Sequence, residues 1–291
     1  VNRSTAWHQS TLDVIGNCSW KYFLTYVCGL PDPSGRAATI GTAVHSAIEA
    51  YERGRMEDRV LSIDDMVDIV IPQLPIDDVP NAEIAINNWY KSRMKDKSEC
   101  HRLWLAQFEP VELEGYFNVS LVEGAMPIGG TIDAIYRDED GIYYIVDLKT
   151  AKDMSRWKAD GEGKRHQATM YSVAVQLKYN LPYLPQVCYT VVRTNSSGET
   201  AKRVFVQPDL TDVRLLGEKI RDAQHIVDTV DYVKNPAWTF CSAAWCSHYQ
   251  GCMVTGELSG TPVAVQKRLQ SPDAGTAGAT TSITYDHKEV R

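Results

Sequence analysis

In "YYIVDLKTAK", residues 143–152, an apolar run containing Ile145, Val146 and Leu148 also carries Asp147 and Lys149. Residues two apart on a strand face the same side, so a carboxylate and an ammonium share one face while Leu148 takes the other. An unpaired charge at the end of an apolar strand is costly, which leaves two readings: a salt-bridged strand end, or half of a metal site. Asp133, in "GGTIDAIYR", lies on the preceding strand, and the tight turn "RDEDG" at 137–141 makes the two strands antiparallel neighbours. Carboxylates converging from adjacent strands form an oxygen-rich site of the kind that suits Mg²⁺ or Mn²⁺. Lys149 beside them would orient or help deprotonate a water, or stabilise charge on a transferring phosphoryl group.

Other residue groups have chemical spacing. In "IGTAVHSAIEAY", Gly41, His45 and Glu49 recur every four positions and form one helical stripe. Taken alone, His45 there reads as a hydrogen-bonded helix residue and Glu49 as a solvated one. Gln167 and Tyr171 share a helical face further on. Cys241, Cys246 and Cys252 fall in the polar stretch "WTFCSAAWCSHYQGC", and Cys18 lies in "NCSWKYFL". The two Cys-x-x-Cys knuckles of a zinc ribbon are absent. Seven cysteines, an odd number, exclude a complete set of intramolecular disulfides, and a reducing compartment makes metal ligation the better use of a cluster. Cys28 is the alternative to Cys18, and Cys100 and Cys188 read as ordinary buried thiols.

The elements that must position these groups follow from periodicity. Helices are expected over 10–29, capped by Ser10 and stopped by Gly29 and Pro31, over about 42–54, and near 63–74 and 82–95. The pattern then changes to that of strands over 109–122, 128–137 and 142–149. A helix over about 165–179 and strands at 186–194 and 201–207 follow. Within 209–234, Val213, Leu216, Ile220, Ala223, Val227 and Val230 recur at spacings of three and four, a core-packing stripe. Residues 257–291 have the Gly-, Ser-, Thr- and Ala-rich composition of a disordered tail. This order describes an α/β fold, a mixed β-sheet flanked by helices. One domain is expected over 1–256, with a helical region at 1–107, a core at 108–208 and a C-terminal helix and Cys-rich clasp at 209–256.

A chain of 291 residues is long enough to bury a real core. No run of eighteen apolar residues occurs, and "VNRSTAWHQS" lacks the regions of a signal peptide, so a cytoplasmic protein without membrane contact is expected. A net charge of −7 does not announce a nucleic-acid binder. Locally, however, Lys149, Lys152, Arg156, Lys158, Lys164 and Arg165 outnumber Asp153, Asp160 and Glu162, which fits either an anion-binding surface or a solvated loop.

Gly41/His45, Gly130/Asp133, Asp147/Lys149 and Gln167/Tyr171, in this order, resemble the motifs of the PD-(D/E)XK nuclease superfamily. Within it they are most similar to the RecB-like branch of Cas-four-type exonucleases and the AddB nuclease domain. The resemblance covers residues 10–252 and implies a restriction-endonuclease-like core. It further implies that His45, Asp133, Asp147 and the Leu148 carbonyl ligate Mg²⁺ or Mn²⁺, that Lys149 positions the hydrolytic water, and that Gln167 and Tyr171 support the site or contact DNA. Iron–sulfur members use one N-terminal and three C-terminal cysteines, which implies a [4Fe–4S] cluster on Cys18, Cys241, Cys246 and Cys252. The gap of four residues between Cys241 and Cys246 is longer than the family's two. The implied activity is a metal-dependent DNA exonuclease acting on single-stranded ends in recombination, repair or phage replication, with a recombination or replication protein as partner through the tail. A DNA-end adaptor within a larger complex and a site-specific endonuclease are the alternatives.

Overall fold

A computed structural model describes residues 5–95, 110–155, 157, 162–196, 198 and 200–255. Cys100, Arg156, Lys158, Asp160 and the segment 257–291 lie outside the described residues.

The single helix expected over 10–29 is broken. Helix α1 (Gln9–Asn17) is followed by a short α2 (Ser19–Tyr22) and a π-helical turn (Phe23–Val27), with Cys18 extended between α1 and α2. The reason is tertiary. Ser19 Oγ accepts the Val233 N–H at 2.7 Å and the Trp20 N–H donates to the Val233 carbonyl at 3.1 Å, so partners near the C-terminus take over where helix continuity would have run. The cap is His8 rather than Ser10, with the His8 N–H held by the Thr11 hydroxyl at 2.9 Å.

Helices α3 (Arg36–Met56), α4 (Ile63–Val70) and α5 (Val79–Lys95) pack together through Val44 and Ile48, Met66 and Val70, and Ile86 and Trp89. The five strands are β1 (Pro110–Val119), β2 (Ile128–Arg137), β3 (Tyr143–Ala151), β4 (Gln186–Arg193) and β5 (Ala201–Val206), ordered β1-β2-β3-β4-β5. All neighbours are antiparallel except β3 and β4, whose parallel pairing needs a crossover, supplied by α6 (Glu162–Lys178). Helix α7 (Leu210–Thr229) ends before the expected 234 because Val230 turns into the left-handed region at φ 58°.

Alternation along β3 divides the core. Ile145 joins Ile132, Met170, Leu216 and Ile220 under α1, α6 and α7, while Leu148 joins the α3–α5 cluster on the other face. The result is the expected mixed sheet with helices on both faces. No described helix is long and apolar enough to cross a membrane.

Candidate active site

The site forms where the sheet comes apart. The β2–β3 ladder ends at Ala134↔Val146, and Asp133 and Asp147 are the next residues on their strands, beyond the pairing. Strand β3 continues past that point only against β4, with Asp147↔Tyr189 and Lys149↔Val191. Asp133 Oδ2 accepts the Leu148 N–H at 2.7 Å, so a side chain replaces the ladder where the strands separate.

Helix α3 brings His45. Its approach depends on Gly41, where a Cβ would stand 3.1 Å from Thr150 Oγ1; without a side chain there, the helix lies close to β3. One turn on, His45 Nδ1 lies 3.3 Å from Asp133 Oδ2. Burial favours the neutral imidazole, but the hydrogen bond and charge of Asp133 outweigh it and raise the His45 pKa. Burial also works against the Asp133 carboxylate; His45, Lys149 and the Leu148 N–H prevail and hold it below its ordinary range.

Asp147 is 1% exposed, and Lys149 Nζ lies 2.6 Å from its Oδ2. That contact is a close ion pair, the ammonium being the partner of this buried oxygen. Burial, and then the nearby Asp133 charge, push Asp147 up to about 6 against the pull of Lys149. From α6, Gln167 Nε2 donates to Asp147 Oδ1 at 3.4 Å and to the Tyr171 hydroxyl at 2.9 Å. Burial and the two carboxylates raise the Tyr171 pKa, keeping its hydroxyl protonated.

His45, Asp133, Asp147, Lys149, Gln167 and Tyr171 are thus brought together from α3, β2, β3 and α6. A cleft of about 540 Å³ opens beside His45, Asp133 and Lys149, lined also by Glu49 and Thr150, and Asp147, Gln167 and Tyr171 stand outside its lining. Glu114 of β1 also lines it, an acidic residue that the sequence reading did not single out because "VELEGY" reads as plain strand alternation. Its one local signal is the glycine that follows it.

Four of the cysteines meet at a separate cavity. Cys18, Cys241, Cys246 and Cys252 line one small cavity together with Trp20, Lys234 and Trp238. Burial and then their neighbouring thiols raise Cys241. Burial raises Cys252 against Lys234, with the same neighbours adding to the rise. Cys28 is not among the lining residues, and burial alone pushes its thiol up to about 11. Cys188 is fully buried in β4, as expected of an ordinary core thiol.

A mixed sheet bearing two carboxylates and a lysine where a ladder ends, with a histidine helix and a Gln/Tyr helix against it, defines an α/β fold with a polar site at its strand ends. The PD-(D/E)XK nuclease superfamily is matched over residues 6–253, and the chain belongs to that superfamily. A protein from Eubacterium rectale, described as a "Putative exonuclease", superposes with a TM-score of 0.51 at 11% identity, over 90% of this chain and 92% of that one. It shares the fold. SSO0001 aligns over 89% of this chain and 90% of its own at 11% identity, with a TM-score of 0.37. No curated protein matches.

Nucleases of this superfamily generally use divalent metals. Among the described residues no three His, Cys, Asp or Glu side chains already stand as a metal-binding group. The donor set nonetheless fits a hard divalent cation: two carboxylates and an imidazole converge, close enough that the Asp133 charge raises both Asp147 and His45. The four cysteines lining the second cavity are soft sulfur donors, and the buried Trp20 Nε1 on its wall has no hydrogen-bond acceptor.

Proposed function

We propose that the chain is a Mg²⁺- or Mn²⁺-dependent deoxyribonuclease of the RecB-like, Cas-four-type branch. On this reading it works as an exonuclease on single-stranded DNA ends in recombination, repair or phage DNA metabolism. The observation that carries the proposal is the convergence of His45, Asp133, Asp147 and Lys149 where the β2–β3 pairing ends. His45, Asp133, Asp147 and the Leu148 carbonyl are the groups that would hold the cation. A bound divalent cation supplies Lewis-acid polarisation of the phosphate and a water of lowered pKa.

The chain's own residues do the positioning. Lys149 Nζ orients the attacking water and sets a positive charge facing the scissile phosphate. Gln167 fixes the Asp147 carboxylate and the Tyr171 hydroxyl in one arrangement, so neither has to reorganise during the reaction. Cys18, Cys241, Cys246 and Cys252 are assigned to a [4Fe–4S] cluster that fastens the α1–α2 junction to the C-terminal loop. The unpartnered Trp20 N–H supports a sulfur acceptor there.

The test is release of acid-soluble nucleotides from end-labelled single-stranded and double-stranded DNA and from closed circles. Anaerobically purified wild type and Asp147→Ala are compared with Mg²⁺ or Mn²⁺. Digestion of linear strands that needs metal and disappears in the variant is the expected result. Cutting of circles would make it an endonuclease, and DNA binding without cleavage would make it an adaptor.

A further inference from the structure

Glu114 occupies an unusual place for a strand carboxylate. The β1–β2 ladder pairs Leu113 with Ala134 and Gly115 with Ile132, and it skips the pair between them, Glu114 and Asp133. At Glu114 the backbone has φ 50°, a left-handed conformation that costs energy for a residue with a side chain. A break of this kind in a ladder re-aims the side chain it carries.

The re-aimed carboxylate lines the open cleft and also a smaller chamber of about 50 Å³ that shares His45, Glu49 and Asp133 with it. Half-buried, it makes no hydrogen bond or ion pair among the described residues. Burial first, and then the charges of Asp133 and Glu49, push its pKa up to about 7, with His45 and Arg53 opposing. The chamber wall includes a second polar group without a partner: Thr190 is 3% exposed and its Oγ1 bonds to nothing. A half-buried carboxylate crowded by two others and an orphaned hydroxyl face one small space. Each lacks what a cation with its bound waters would supply.

We propose that Glu114 is a further member of the divalent-cation shell, closing it from the β1 side and bonding the cation or one of its waters beside Asp133. Thr190 takes a water of that shell in the chamber. The proposal rests on the metal reading of the site and adds to it a group from a third strand. Glu114 stands unpaired in the metal-free protein because its partner arrives with the ion.

The test is Mn²⁺ binding by calorimetry and electron paramagnetic resonance, with the thermal midpoint of the full chain measured with and without Mn²⁺. Wild type, Glu114→Gln and Asp147→Asn are compared. Glu114→Gln is expected to weaken Mn²⁺ binding by about 10- to 100-fold. Its metal-free midpoint should match or exceed that of wild type, since a crowded carboxylate has been neutralised. A merely structural glutamate would instead lower the metal-free midpoint and leave affinity unchanged, and either result overturns the proposal. If Asp147→Asn loses Mn²⁺ while Glu114→Gln binds like wild type, the Glu114 role fails and the metal site stands. If wild type binds no Mn²⁺, both fail.

Discussion

The Leu148 N–H donates to Asp133 Oδ2 at 2.7 Å, across from β3 to β2 where their ladder has ended. One carboxylate therefore faces the cleft and also ties two strand ends. Asp133→Asn keeps an oxygen for that N–H, whereas Asp133→Ala leaves it without its acceptor. Both substitutions should abolish Mn²⁺ binding. Metal-free urea unfolding should show Asp133→Ala less stable than Asp133→Asn by about 1 kcal/mol, and equal stabilities would deny the strand-tying role.

Asp147 is shifted from 3.8 to about 6, first by burial and then by the Asp133 charge, against Lys149. Between those values the folded state holds more protons than the unfolded one. This group's contribution to stability therefore falls as pH rises through the window and stays lost above it. Asp133, held low, acts oppositely and loses its contribution on acidification; His45, held high, loses its contribution as pH climbs past its folded value. In metal-free protein Asp147→Asn should be more stable than wild type at about pH 8, by on the order of 2 kcal/mol, and the gap should close toward about pH 4. Urea titrations across that range check it, and a gap independent of pH would contradict the assignment.

The strands bearing Asp133 and Asp147 were legible because apolar alternation and the "RDEDG" turn are local, and the observed strands begin and end within a few residues of the expected ones. The break at Cys18 was not, because its cause is a contact between Ser19 and Val233, 214 residues apart. Nor does spacing disclose that His45 reaches Asp133; that follows from how closely α3 lies on β3. Glu114 was hidden for a related reason. Its direction is set by a gap in pairing with β2, which leaves no trace in the residue pattern of β1 beyond the glycine that follows it.

Gly41 has a testable part in that close approach. A Cβ at this position meets Thr150 Oγ1 at 3.1 Å, so Gly41→Val should push α3 away from β3, costing about 1–3 kcal/mol and weakening Mn²⁺ binding. Thr150→Ala removes the obstructing oxygen and should recover part of both losses when combined with it. Full additivity in denaturation and binding would show that the two positions do not touch.

Cys18, Cys241, Cys246 and Cys252 share a cavity that Cys28 does not line. Replacing any of the four with Ser should remove iron and visible absorbance from anaerobically purified protein, and Cys28→Ser should leave both intact. The same four substitutions should expose the α1–α2 junction to limited proteolysis, because on this proposal the cluster ties that junction to the 241–252 loop. Iron retained in all four variants, or zinc in its place, would refute the cluster.

Beneath the site, Arg93 of α5 lies over the Tyr51 ring at 5.6 Å and the Trp89 ring at 5.5 Å. It pairs with Glu52 at 2.7 Å, both side chains being almost wholly buried, and Glu52 also takes Arg55 at 3.0 Å. The Tyr136 hydroxyl of β2 joins this group through hydrogen bonds to Glu52 and Arg93. Helices α3 and α5 and strand β2 are thereby joined two helical turns from His45 and three residues from Asp133. Arg93→Met leaves the buried Glu52 carboxylate with Arg55 as its one remaining cation and should cost about 3 kcal/mol, whereas Glu52→Gln with Arg93→Met removes the under-compensated charge and should recover much of it. Mn²⁺ affinity should follow the same order, reduced in the single variant and largely restored in the double, because the network sets how α3 presents His45 to β2. A double variant as unstable as Arg93→Met alone would mean that ring packing around the guanidinium, not charge pairing, holds the three elements together.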